Sequence, residues 1–247
     1  MVETVVLTAS AGSFSGLAAA LSNSPVVVEE HPLVSFESPK NWSELDAALM
    51  NASKLGAVAV TSPRAARALS DRLRVLGIVW NDSAPTIWAG GPGTAAELRD
   101  LRSRVKVPES QAGRGSAETL ARAILEAGVG GPVLFACGES RRDELPGILQ
   151  ESGIHVHDVV CYRSVLASRF EAGSALARGT MVVVASPSVM ALVSKVCEVS
   201  ARPRLIAAGP TTAVSARAHG WPPDAVASEP STEGLASAIR GMLGARL

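Results

Sequence analysis

The sequence predicts an α/β protein: two similar, doubly wound parallel-sheet domains of about five strands each, joined by a two-stranded linker, with a ligand cleft between them. Three observations carry this. Apolar runs of strand length alternate with helix-length amphipathic segments along all 247 residues, and parallel neighbours need such crossover helices. The chain also repeats itself in order. Ala59-Val60-Thr61-Ser62-Pro63-Arg64-Ala65-Ala66 returns as Val184-Ala185-Ser186-Pro187-Ser188-Val189-Met190, and Ala89-Gly90-Gly91-Pro92-Gly93-Thr94-Ala95 returns as Ala208-Gly209-Pro210-Thr211-Thr212-Ala213. Ser116-Ala117-Glu118-Thr119-Leu120-Ala121 likewise returns as Ser231-Thr232-Glu233-Gly234-Leu235-Ala236. A separation of roughly 115 to 124 residues marks a duplicated architecture and not a short-period solenoid. The third observation is a strand count that balances only if the N-terminus joins the C-terminal half.

Taken in order, the apolar runs place strands at 4–8, 25–29, 57–61, 85–89, 104–107, 132–137, 155–161, 180–185, 204–208 and 224–227. The amphipathic segments between them place helices at 14–22, 43–54, 64–76, 93–102, 116–127, 141–152, 170–178, 188–197, 211–219 and 232–243. Ser62-Pro63 and Ser186-Pro187 read as N-caps with proline in the first turn, and Gly128-Val129-Gly130-Gly131-Pro132 reads as a helix stop and turn. Five strands fall between 57 and 161 but three after 165, so the strands at 4–8 and 25–29 complete the later set. The predicted organisation is a discontinuous domain 1 of residues 1–32 plus 167–247 and a domain 2 of residues 38–161. Residues 33–37 and 162–166 form the paired linker, a hinge of limited freedom.

Composition removes several function classes. Residues are 47% hydrophobic and 19% charged, with 23 Lys plus Arg against 23 Asp plus Glu. Each half buries a proper core, and no basic footprint for nucleic acid exists. No apolar run reaches the roughly 20 residues that span a bilayer, and Met1-Val2-Glu3-Thr4 lacks the basic start of a secretory signal. Cys137, Cys161 and Cys197 are an odd set without Cys-x-x-Cys spacing, which argues against disulfides and structural zinc and for small apolar roles in a reducing cytoplasm.

In parallel α/β sheets ligands sit beyond the carboxyl ends of the strands, where this chain puts its polar punctuation. Ser62 and Ser186 stand at helix starts, followed by the glycines and threonines of 90–94 and 209–212, which leave backbone N–H groups open to an anion. Any α/β protein needs caps at such turns, and repetition in both halves is what points beyond capping. There is no Gly-x-Gly-x-x-Gly, no Gly-Lys-Ser/Thr and no Gly-x-Ser-x-Gly, so a nucleotide cofactor and a serine nucleophile are not expected. His31, His155, His157 and His219 form no ligand cluster. Tyr162, the one tyrosine, falls at the inter-domain crossing; its phenol suits general acid catalysis, or else packs the linker with its hydroxyl in water.

These residues resemble the uroporphyrinogen-III synthase family over essentially the whole chain. The carriers are Pro32-Leu33-Val34-Ser35-Phe36-Glu37, Thr61-Ser62-Pro63-Arg64-Ala65, Leu134-Phe135-Ala136-Cys137-Gly138 with Arg142-Asp143-Glu144-Leu145-Pro146, Val160-Cys161-Tyr162-Arg163, Ala185-Ser186-Pro187-Ser188, and Ala208-Gly209-Pro210-Thr211-Thr212-Ala213 with Thr232-Glu233-Gly234-Leu235. The resemblance implies a cofactor-free, metal-free cytoplasmic lyase, a monomer, that takes the linear tetrapyrrole hydroxymethylbilane. Loss of the terminal hydroxyl gives an azafulvene cation, and the ring closes with ring D inverted. It implies Tyr162 as the catalytic acid, and Thr8, Ser62, Arg64, Gly91, Thr94, Gly138, Arg142, Ser186, Ser188, Arg204, Gly209, Thr211 and Thr212 as substrate-binding positions. Two positions depart: many bacterial members carry arginine where this chain has Ala9 and Cys137, although cysteine at the second also occurs in the animal type. The alternative reading is a synthase-like, two-lobed protein that binds an anionic small molecule without turnover.

Overall fold

The computed structural model describes residues 2–109 and 116–244. In chain order the first elements are β1 (Glu3–Leu7), α1 (Leu17–Ala20), β2 (Val26–Glu30), β3 (Val34–Glu37), α2 (Ser43–Met50), β4 (Ala57–Val60), α3 (Pro63–Val75), β5 (Thr86–Ala89), α4 (Pro92–Ala96), β6 (Val105–Lys106) and α5 (Ser116–Glu126). They are followed by β7 (Val133–Gly138), α6 (Glu144–Glu151), β8 (Val156–Leu166), α7 (Arg169–Leu176), β9 (Met181–Val184), α8 (Pro187–Val196), β10 (Arg204–Ala207), α9 (Pro210–Ala218), β11 (Ala225–Val226) and α10 (Thr232–Gly244). The chain divides into two compact units: unit 1 is Met1–Phe36 with Val165–Leu247, and unit 2 is Glu37–Ser164.

The sheet of unit 1 has the order β11-β10-β9-β1-β2, with β1 set between β2 and β9 in parallel register, Val5 opposite Val28 and Met181. The other sheet has the order β3-β8-β7-β4-β5-β6, one strand more than expected, because β3 lies beside an unusually long β8. Here β4 lies between β5 and β7, Ala57 opposite Thr86 and Val133. In both sheets the first crossover runs one way and a later one the other, so each has a switch point: between β1 and β9, and between β4 and β7.

Strands covered on both faces need no polar positions. All four residues of β4, of β9 and all six of β7 are buried. Period-2 geometry then divides each strand between two cores. Val58 and Val60 pack with Leu45, Leu49, Leu69 and Leu73 of α2 and α3, while Ala57 and Ala59 pack with Leu120, Ile124, Leu145 and Leu149 of α5 and α6. In unit 1, Val5 and Val183 meet Leu17, Leu235 and Ile239, while Val182 and Val184 meet Leu176, Val189 and Val193.

Four helices differ from expectation, the one expected at 43–54 being α-helical only over Ser43–Met50 and followed by a separate 3₁₀ turn, Ala52–Lys54. The segment expected at 14–22 is helical only over Leu17–Ala20, because Gly16 enters it at φ 97°. The one expected at 93–102 breaks into α4 and a 3₁₀ turn, Arg99–Arg104, with Leu101 off helical geometry. The one expected at 141–152 starts at Glu144, since Arg141 is held by Asp158 and Asp143 in the preceding loop. Among the described residues no helix is long and apolar enough to cross a membrane.

Leu134, fully buried in the middle of β7, tests the packing of unit 2. Leu134→Ala is expected to destabilise it by about 2–5 kcal/mol through lost transfer energy plus the cavity left behind, read as a lower urea midpoint at unchanged slope.

Candidate functional site

At the switch point of unit 2, the ends of β4 and β7 diverge into different crossovers and leave a cavity of about 350 Å³. Thr61 and Ser62 line it from the turn after β4, Phe135, Cys137 and Gly138 from β7, Ser140, Arg141 and Arg142 from the next loop, Leu145 from α6, and Tyr162 from β8. This is where a doubly wound sheet binds ligands, because neighbouring loops part there. Of the expected site residues, Ser62, Gly138, Arg142 and Tyr162 line this cavity, and Thr61, Phe135, Arg141 and Leu145, which were not among them, line it too. For Arg141 the signal was its place beside Arg142, one loop after Gly138.

The orientation of Tyr162 has a local cause. Along β7 and β8 the register runs Ala136 to Val159 and Cys137 to Val160, then jumps so that Gly138 faces Tyr162. The extra residue is a β-bulge, a device that re-aims a side chain. Val159, Cys161 and Tyr162 consequently all lean on one core, which a regular strand would forbid for the adjacent pair 161 and 162. The ring then needs room. A Cβ added at Gly138 would stand 2.6 Å from Tyr162 Cζ and 2.8 Å from its hydroxyl, so glycine is required here for close approach and not for backbone freedom.

Charges of both signs lie on this side of the cavity, Arg141 and Arg142 beside Glu144. Arg142 is exposed. Arg141 Nε donates to Asp158 Oδ2 at 2.7 Å, and its Nη1 pairs with Asp143. Arg64, in the first turn of α3, lies within electrostatic reach of Tyr162; partial burial of its guanidinium holds it below the ordinary arginine range, against the pull of the phenol. The neighbouring thiols are inert. Burial pushes Cys137 and Cys161 from 9.0 up to about 12, for Cys137 with help from the Asp158 carboxylate, so neither supplies a thiolate near neutrality. No group of three or more His, Cys, Asp or Glu among the described residues is placed to hold a metal.

The equivalent rim of unit 1 repeats the same caps. Ser62 Oγ accepts from Ala65 N at 3.2 Å and Ser186 Oγ from Val189 N at 3.3 Å, on nearly identical extended backbones. Gly91 and Gly209 open α4 and α9 at φ 173° and 178°, each followed by proline. The duplicated motifs are thus duplicated backbone, and both serines serve as caps while keeping an O–H to donate. Ser188 Oγ lies 3.1 Å from Ser186 Oγ, and Thr211 is exposed, whereas Thr94 and Thr212 have buried side chains.

Two expected binders are placed differently. Thr8 is wholly buried: its hydroxyl and its N–H both donate to Val183 O, and its carbonyl accepts from Leu33 N. With every polar group engaged it ties β1 to β9 and offers nothing to a ligand. Arg204 opens β10, at the amino ends of the strands, and pairs with Glu3, which also accepts from Thr180 Oγ1 at 2.8 Å. The structure does not bring it to Ser186 and Thr211, which lie past the carboxyl ends.

Gly138→Ala is expected to displace the Tyr162 ring and to cost about 1–3 kcal/mol by overpacking. Because the chain has a single tyrosine, isotope-labelled tyrosine gives one ring signal, and an unmoved signal would mean that the ring does not rest on Gly138. For the thiols, Cys137 and Cys161 should resist a disulfide reagent at pH 8 until the chain unfolds. The folded state keeps protons that the unfolded state gives up above 9.0, so their stabilising contribution is complete below that pH and disappears as pH climbs towards 12. Denaturation midpoints across this range measure the loss.

The family model described as Uroporphyrinogen-III synthase HemD matches residues 15–237. Two solved structures share the fold. The chain is similar to uroporphyrinogen-III synthetase from Helicobacter pylori 26695 at 18% identity and TM-score 0.67, covering 97% of this chain and 99% of that one. It is also similar to a mutant uroporphyrinogen III synthase from the extremely thermophilic bacterium Thermus thermophilus at 16% identity and TM-score 0.65, covering 99% and 98%. With a match spanning nearly the whole sequence, the chain belongs to the uroporphyrinogen-III synthase family.

Proposed function

We propose that this chain is a lyase that closes hydroxymethylbilane to uroporphyrinogen III, with loss of water and inversion of ring D. Family membership over residues 15–237 supports the activity. The observation that carries the assignment of roles is the phenol of Tyr162, pressed against Gly138 by the bulge in β8 and facing a cavity lined with arginine and serine.

The chemistry asked of the protein is modest. The substrate becomes a cation once its hydroxyl departs, and it cyclises unaided, so the protein must hold one geometry and protonate the leaving oxygen. Tyr162 donates its O–H to that oxygen, which departs as water. Arg142 and Arg64 attract the substrate's carboxylates, and the Ser62 hydroxyl donates to one of them. Gly91 supplies a backbone N–H contact to another. Neither buried thiol takes part.

Freshly generated hydroxymethylbilane given to the purified chain should yield mainly the type III isomer, resolved from type I by chromatography after oxidation. Type I alone from a folded sample would overturn the proposal. Tyr162→Phe should fold normally and lower kcat on the order of 10²-fold, the usual loss for one acid group. Wild-type turnover in that variant would remove the phenol from the mechanism.

A further inference from the structure

Arg141 and Arg142 are consecutive, yet their charges are used differently. The Arg141 side chain is 28% exposed; its Nη2 lies 2.6 Å from Asp158 Oδ2, its Nε 2.7 Å from the same oxygen, and its Nη1 pairs with Asp143 Oδ1. Asp158 sits in β8 opposite Phe135, four residues before Tyr162, and Asp143 is the residue before α6. One guanidinium therefore ties the loop after β7 to the strand that carries the phenol and to the start of the next helix. Facing two carboxylates, it offers an anion no net positive charge. Arg142 forms no ion pair with any described residue.

We propose that Arg141 is a positioning residue for ring closure: it fixes the loop so that Arg142 faces the Tyr162 cavity, and does not itself bind substrate. This rests on the reading of that cavity as the reaction site. The part-buried leg to Asp158, where two guanidinium nitrogens meet one carboxylate oxygen, has the geometry to hold a loop, unlike the exposed leg to Asp143. A small displacement of a substrate-holding group is costly to rate even far from the bond that changes.

Arg141→Gln and Asp158→Asn remove the tie from its two sides. Each should lower kcat/KM for type III formation on the order of tenfold, with the double variant no worse than the worse single one. Arg141→Lys should recover part of the loss. Arg142→Gln should instead raise KM and flatten the salt dependence of kcat/KM, the sign of a lost long-range attraction. Additive losses in the double variant would overturn the proposal, as would a flattened salt dependence in Arg141→Gln, which would make Arg141 a direct anchor. A readout free of turnover separates this proposal from the function itself. In the folded chain, trypsin should cleave after Arg142 several-fold faster in Asp158→Asn than in wild type. Unchanged cleavage overturns the tie, whereas failure of wild type to form the type III isomer counts against the function alone.

Discussion

The parallel pairing of strands that are not neighbours in sequence is the constraint on which the rest depends. β4 accepts β7, and β1 accepts β9, only if everything between them is exported as crossovers. That export sends adjacent loops in opposite directions and opens a gap at the strand ends. It also requires strands apolar on both faces, so polar side chains are driven to the turns. The cavity, the serine caps and the cation-bearing loop follow from this single topological fact.

Against this common plan, the two units diverge by a small irregularity. Their caps match in kind, Ser62 with Ser186 and Gly91 with Gly209. The slip in register at Cys137/Gly138 sets β7 and β8 apart from every pairing in the sheet of unit 1. Duplication supplied two similar platforms, and one inserted residue pointed a phenol at one of them. A bulge costs one ladder hydrogen bond, a small loss in a sheet of this size.

Much of this was legible in the residues because the governing signals are local. Alternation of apolar runs with amphipathic segments gave the strands, and Ser-Pro after a β-branched run gave the caps. The motif around Tyr162 led to the phenol. What was not legible depends on register. Nothing local says that Thr8 turns its hydroxyl onto Val183, a partner far along the chain, or that Arg204 opens its strand on the side remote from Ser186. The claim of Asp158 on Arg141 is equally invisible, since a loop arginine and a strand aspartate meet only once β7 and β8 are aligned.

The interrupted course of unit 1 has a consequence for how the chain is made. Unit 2 is continuous, Glu37–Ser164, and every strand of its own sheet has been synthesised once β8 emerges. β1 emerges first, but its second neighbour, β9, begins only at Met181. During synthesis β1 and β2 must therefore persist as a two-stranded fragment with an open edge and an uncovered face, a form with little stability of its own. The later-starting unit is thus the first able to close, and the ribosome delivers the partner of β1 only after that body is complete.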